Sequence, residues 1–302
     1  VSLLVIDKPC GPSSFAVVKR VRAMLGKRHE KVGHGGTLDP FATGVLPICI
    51  GEGTKVLQFL LDADKSYEAV VRFGVETDTL DLTGRVVLEH SLGNLDGAAV
   101  EGALVHFRGA IEQMPPMYSA LKRDGRPLYA YARKGQTVER PARRVTIHEL
   151  AMVRFEPPDR ACLAIRCSKG TYIRSLAADL GRRLGVGAHL VELRRTASGP
   201  FRLEQAITLD ELAARIADGR APPMLSLLEA LAHLPRVTVD EAQALVLERG
   251  QAMTWQAFTA GRDLSGPVCA VRGGTAGPSL VAMVTQHPVG CVKILRGFRA
   301  RG

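Results

Sequence analysis

The sequence predicts an α+β chain with a small, mostly β domain at its C-terminal end. Three observations carry this reading. Strand-like and helix-like apolar patterns mix without a regular βαβ rhythm. Neither G-x-G-x-x-G nor G-x-x-x-x-G-K-[ST] occurs, which argues against a doubly wound nucleotide-binding fold and gives no sign of a nucleotide cofactor. From Val237 onward, short apolar runs are punctuated by Gly and Pro. The 302 residues suit two domains, at roughly 100–200 residues per domain.

Val1 to Asp7 reads as a strand, closed by the turn cluster Lys8-Pro9-Cys10-Gly11-Pro12. Ser13 or Ser14 then caps a helix through Leu25, with Val18, Val21 and Leu25 as its apolar stripe and Gly26 as its stop. Lys19, Arg20 and Arg22 make its outer face basic. Residues 33–44 are irregular and rich in glycine, and Val45 to Ile50 follows as a buried strand. Tyr67, Ala69, Val71 and Phe73 alternate with Glu68, Val70 and Arg72, as one face of a strand does. Ala161 to Cys167 is a further strand, leading into a helix with Ile173, Leu176, Leu180 and Leu184 on one side and Gly185 at its end. Residues 204–230 read as helical, interrupted at Pro222-Pro223. Beyond Val237 the pattern is a short strand, a helix over Glu241 to Arg249, and strands at Val268 to Val271, Leu280 to Thr285 and Cys291 to Leu295.

With 46% hydrophobic residues the chain can form a true core, so a disordered chain is excluded. No apolar run approaches the roughly 18–20 residues of a membrane helix, and Val1 to Lys8 lack the basic and long apolar regions of a secretory signal. The six cysteines show neither C-x-x-C nor zinc-type spacing, as expected of a protein of the reducing cytoplasm without a metal. The net charge of +10 is unevenly placed: +4 over 1–39, −6 over 40–112, +6 over 113–145, +2 over 146–234 and +4 over 235–302. The segment 113–145, with Tyr118, Tyr129 and Tyr131 among its cations, looks like a phosphate-contacting surface with stacking residues.

The densest run of unusual residues is His34 to Pro47, with Asp39 before Pro40 among glycines. Taken alone, such an Asp is most often a turn former. It can also be a carboxylate held on rigid backbone as nucleophile or general base. Further blocks follow or precede it in order: Val5-Ile6-Asp7-Lys8-Pro9, Asp64-Lys65-Ser66-Tyr67, Pro115 to Lys122, Cys167 to Arg174, and Gly187-Ala188-His189-Leu190 with Leu193-Arg194-Arg195. In this set the chain resembles the TruB family of tRNA pseudouridine synthases over about residues 3–210. One departure is Gly53, where the family pattern has Ala.

The resemblance implies a pseudouridine synthase type of fold: a mixed, mainly antiparallel sheet over residues 1–234, an RNA-clamping insertion at 113–145, and a PUA-like RNA-binding domain at 235–302. The implied activity is isomerisation of uridine 55 in the TΨC loop of tRNA, by base flipping and an Asp-dependent rearrangement of the glycosidic bond. By family position Asp39 is the catalytic carboxylate, Arg174 its partner, and Tyr67 the residue that stacks on the target base. His34 fills the space left by the flipped nucleotide, Tyr172 and Leu193 line the base pocket, and Lys8 contacts phosphate or supports the loop. Tyr67, Tyr172 and Leu193, read without the resemblance, are ordinary core residues. Lys122, Arg123, Arg126, Arg133, Lys134, Arg140, Arg143 and Arg144 are expected on RNA phosphates. No cofactor or metal is implied. The expected partner is the T arm of tRNA, engaged by a monomer without guide RNA or partner protein. Three competing readings are a guide-RNA-dependent relative, a ribosomal RNA synthase, and a tRNA-folding role independent of catalysis. Most of 40–112 is expected to face away from RNA, Lys55 and Tyr67 excepted.

Overall fold

The computed structural model describes residues 2–26, 31–274 and 277–298; Val1, read above as part of the first strand, lies outside them. Strand β1 (Ser2–Lys8) leads into helix α1 (Ser14–Met24), capped by the Ser13 hydroxyl, which accepts from the Ala16 N–H at 3.2 Å. Short β2 (Val32–His34) and β3 (Thr43–Ile50) flank the glycine-rich loop. After α2 (Leu57–Leu61), β4 (Lys65–Phe73) carries the expected alternation, with Ala69, Val71 and Phe73 buried. The hairpin β5 (Val75–Thr77) and β6 (Val86–Glu89), helix α3 (Gly97–Leu104) and strand β7 (Gly109–Gln113) follow. Residues 114–142 leave the sheet and hold a miniature hairpin, β8 (Lys122–Arg123) and β9 (Arg126–Pro127), with helix α4 (Leu128–Ala132). The chain returns through β10 (Arg143–Glu156), β11 (Arg160–Cys167), helix α5 (Ile173–Arg183), β12 (Ala188–Ser198) and β13 (Phe201–Arg202).

Among the described residues these strands form a nine-stranded sheet of order β1-β3-β12-β4-β11-β10-β7, with β2 on β3 and β13 on β12. Its pairings are antiparallel except β3 with β12, where Thr43 and Gly44 lie against Arg194 and Arg195. Gly44 makes that seam possible. Its φ is +102°, and a Cβ there would sit 2.2 Å from the Arg195 carbonyl oxygen.

One face of the sheet is buried under α3 and α5, through Val71, Phe73, Ile147, Ile165, Leu176 and Leu180. The runs Leu3 to Ile6 and Val45 to Ile50 are apolar throughout because both of their faces are covered. Leu4, Ile6, Leu46 and Ile48 pack on α1 and helix α6 (Leu209–Ala217). Leu3, Val5, Val45 and Cys49 face helix α7 (Leu227–Ala230) and the terminal domain.

That domain is a sheet of β14 (Arg236–Val239), β15 (Val268–Arg272), β16 (Ser279–Gln286) and β17 (Val292–Gly297), with helices α8 (Glu241–Glu248) and α9 (Trp255–Thr259). Trp255, Phe258, Val268, Val281 and Val284 centre its own core. Cys269, Val271, Met283 and Phe298 join the cluster that includes β1 and β3, so the two units share an apolar seam.

Three expectations change. Residues 204–230 are helical only at α6 and α7 beyond a 3-10 turn. Between them the chain passes the donorless Pro222-Pro223, the Met224 N–H donates back to the Pro222 carbonyl at 2.9 Å, and Leu225 exchanges backbone hydrogen bonds with Leu3 at 2.8 and 2.9 Å. The insertion is narrower than 113–145, because Gln113 and Arg143 to Val145 are strand residues of the sheet. Lys55, expected toward RNA, faces the terminal domain instead: its ammonium pairs with Glu52, donates to the Gly297 carbonyl at 3.1 Å and lies 5.6 Å from the Phe298 ring. Among the described residues no helix is long and apolar enough to cross a membrane.

Candidate active site

Asp39 lies in the loop between β2 and β3, and three buried side chains fix that loop. The Ser14 hydroxyl accepts from the Leu38 N–H at 2.8 Å and donates to the Leu38 carbonyl at 3.0 Å. The fully buried Lys8 spends its three N–H bonds on the carbonyls of Pro9, Pro40 and Ala42, at 2.9, 3.0 and 2.7 Å. Lys8 therefore supports the loop and is not a phosphate contact, and burial lowers its pKa to about 8. Arg195, 1% exposed, donates to Val45, Thr37 and Gly36 carbonyls at 2.8, 3.3 and 3.1 Å. Unpaired, these inward-facing carbonyls would each be costly to bury.

Arg174, second residue of α5 and 3% exposed, meets the carboxylate of Asp39 with a two-pronged fork: Nε to Oδ2 at 2.8 Å and Nη2 to Oδ1 at 3.0 Å. Its remaining donors reach the Tyr118 carbonyl at 2.8 Å, the Thr79 carbonyl at 2.9 Å and the Asp81 carboxylate at 3.5 Å. One guanidinium thus joins the Asp39 loop, the β5–β6 turn and the insertion. Burial raises the pKa of Asp39, and the Asp81 charge adds to the rise; Arg174 and Lys8 oppose it. The outcome is an oriented carboxylate that is more basic than a free one.

Asp81 and Thr79 belong to the site and were not singled out from the sequence. Asp81 accepts from the Thr79 and Thr83 hydroxyls at 2.7 and 2.6 Å and from the Thr83 N–H at 2.9 Å. The only signal was the alternation of Asp and Thr in Asp78-Thr79-Leu80-Asp81-Leu82-Thr83. The acidic stretch 40–112, expected to turn away apart from Lys55 and Tyr67, supplies the second carboxylate of the site. Arg174 lies against both carboxylates, at 2.8 Å from Asp39 and 3.5 Å from Asp81, so its one positive charge is shared between them.

A cavity of about 320 Å³ opens beside Asp39, lined by Tyr67, Tyr172, Arg174, Leu193 and Arg195 among others. Tyr67 and Arg195 face each other across β4 and β12. Burial raises the pKa of the Tyr67 phenol, and the charge of Arg195 opposes that rise. Tyr172 is placed at the start of α5 by Gln113, whose amide oxygen accepts from the Tyr172 N–H at 2.7 Å while its nitrogen donates to the Tyr172 carbonyl at 3.1 Å. Arg195, quoted above only within a motif, has a structural part that its sequence position did not announce.

A larger cavity of about 850 Å³ shares Asp39 and Arg174 with the first, and His34 lines it. Burial lowers the pKa of that imidazole, favouring the neutral ring. Lys122, Arg123, Arg126, Arg133 and Lys134 are exposed on the insertion. Arg140 is not free in the same way: it is half-buried and donates to the Pro115 carbonyl at 3.1 Å, bracing the insertion's root. Arg143 and Arg144 are exposed, but at the start of β10. Among the described residues no cluster of His, Cys, Asp and Glu could hold a metal ion.

Residues 22–173 match the TruB family pseudouridylate synthase N-terminal domain, and residues 174–232 match the tRNA pseudouridylate synthase B C-terminal domain. Proteins named tRNA pseudouridine synthase B include one from Cupriavidus pinatubonensis, 51% identical over 84% of this chain and 80% of that protein. Another, from Pseudomonas aeruginosa, is 51% identical over 82% of each chain. Among solved structures, a chain of a Cbf5-Nop10-Gar1 complex superposes with a TM-score of 0.76 at 28% identity, covering 98% of this chain and 85% of its own. An H/ACA RNP bound to a substrate RNA containing 2'-deoxyuridine contains a chain that superposes at 0.71 with 28% identity, over 94% and 78%. Matched over both family domains and by relatives at half identity, the chain belongs to the TruB family of pseudouridylate synthases.

Proposed function

We propose that this chain isomerises uridine 55 of the TΨC loop of tRNA to pseudouridine. The bidentate Asp39–Arg174 pair in the wall of a base-sized cavity carries the reading. In the reaction the C1′–N1 bond breaks, the uracil turns, and a C1′–C5 bond forms. C5 gives up a proton and N1 gains one, so no oxidant, reductant or net water is consumed.

Asp39 supplies the charge that starts this sequence. Its ionised carboxylate either attacks C1′ or removes the C2′ proton, and Arg174 holds it aimed in both cases. A uridine stacked in a folded loop hides these atoms, so the base must leave the stack before reaction. Tyr67 stacks on the extruded uracil, Tyr172 and Leu193 wall the pocket, and the neutral His34 ring takes the vacated space. Lys122, Arg123, Arg126, Arg133 and Lys134 contact backbone phosphates, which gives affinity without base identity. The terminal sheet, residues 235–302, serves as a PUA-like RNA-binding domain beside the catalytic unit over 1–234.

The chain acts as a monomer in the cytoplasm, without guide RNA or protein partner, because the insertion provides its own cations for the RNA. The test is incubation of the pure protein with an unmodified tRNA transcript, followed by mapping of pseudouridine at single-nucleotide resolution. Pseudouridine at position 55 alone is expected; its absence, or a requirement for added RNA or protein, overturns the reading.

A further inference from the structure

The larger cavity beside Asp39 has an aromatic in its wall that neither the core nor the reaction above requires. Phe15, in the first turn of α1, is 61% exposed, whereas Val17, Val18 and Val21 of the same helix turn inward. Phe15 lies away from that apolar stripe, on a surface shared with exposed Lys19. The Lys19 ammonium sits 4.9 Å from the Phe15 ring centre. The insertion contributes a similar couple to the same cavity: Tyr129, 41% exposed, with the Arg133 guanidinium 5.4 Å from its ring centre. Neither ring belongs to an apolar core cluster.

An exposed aromatic beside a cation, in the wall of a cavity next to a base pocket, suits a nucleobase with its phosphate. The ring offers a π-face, and the cation is close enough to move to the phosphate. The cavity of about 320 Å³ has room for the target uracil, and the adjoining space of about 850 Å³, which shares Asp39 and Arg174 with it, remains for more of the loop. We propose that Phe15 is the stacking platform for a second unpaired base of the substrate RNA, a neighbour of the one that enters the Asp39 pocket. This rests on the RNA-modifying reading above. Phenylalanine has no hydrogen-bonding group, so the subsite holds a base by stacking and tolerates its identity.

The test is a double-mutant cycle on the full chain with a T-arm hairpin RNA, replacing one non-target loop nucleotide at a time by an abasic residue. Phe15→Ala is expected to weaken hairpin binding by about 5- to 100-fold, the usual range for one base–aromatic stack. At saturating RNA, turnover stays within about twofold, and Phe15→Trp restores affinity. At one abasic position the wild type loses the same factor while Phe15→Ala loses nothing further. Unchanged thermal unfolding shows that the variant folds. Wild-type affinity for Phe15→Ala, or losses that multiply at every abasic position, overturns the proposal. If the wild type binds the hairpin without making pseudouridine, the enzymatic reading fails while the binding cycle still decides the role of Phe15.

Discussion

Lys8, Arg174 and Arg195 around the Asp39 loop, and Lys122, Arg123, Arg126, Arg133 and Lys134 on the insertion, are the same side-chain types under opposite conditions. The first three are buried, with their donors committed to protein oxygens. The second group is exposed. Burial makes a cation specific, since its hydrogen bonds must be met in one geometry. Exposure makes it general, since water and salt compete for it and any phosphate can satisfy it. Changes to the buried group should therefore alter chemistry or folding, while changes to the exposed group should alter affinity alone.

The largest expected effect is at the anion that the buried cations serve. Asp39→Asn should reduce pseudouridine formation by roughly 10³-fold or more while RNA affinity in a filter-binding assay is kept. Retained activity would remove Asp39 from the centre of the site. Because the raised pKa of Asp39 means that it takes up a proton at a higher pH than a free carboxyl, the acid limb of wild-type kcat/KM should break above the ordinary value near 3.9.

Arg174→Lys preserves charge but not the planar fork, and about a 10²-fold loss in kcat is expected with little change in KM. An equal effect on KM and none on kcat would show that geometry there is unimportant. Arg195→Met should appear mainly in thermal unfolding. Three carbonyls lose their donor, at about 1–3 kcal/mol for each that stays buried and unsatisfied. Normal stability with lost activity would instead give Arg195 a direct part in the reaction.

The smallest effects belong to the insertion. Lys122→Ala or Arg126→Ala should each weaken tRNA binding modestly and flatten the slope of log affinity against log salt by about one counterion, with kcat unchanged. A change in kcat from either would erase the distinction between the two groups of cations.

Much of the site was legible because its residues sit in ordered blocks that resemble those of the TruB family. The glycine-rich loop around Asp39 and the Arg174 block stand out in the chain, and the structure joins them at 2.8 Å. Lys8 was left between two uses, since nothing local says that its ammonium will be enclosed by Pro9, Pro40 and Ala42. Asp81 was missed because an acidic residue in an acidic stretch looks like solvated surface until a guanidinium from another element is placed against it. The long strands β10 and β12 were hidden by their bulges. Register shifts between Ile147 and Glu149, Met152 and Arg154, Leu190 and Glu192, and Arg195 and Ala197 break the alternation that marks a strand. Strand β4 has no such shift against β11, and its pattern was plain.

The insertion departs from the sheet after Gln113 and returns at Arg143, and these two residues are cross-strand partners. A chain that leaves and returns at one rung can be lengthened, shortened or exchanged there with the ladder intact on either side. The ties to the scaffold lost on excision would include the bonds from Arg174 to Tyr118 and from Ser175 to Met114. The position is a natural graft point, where a short turn could close the scaffold or a different loop could be installed. Substrate range could then be altered from one side of the molecule without redesign of the carboxylate at its centre.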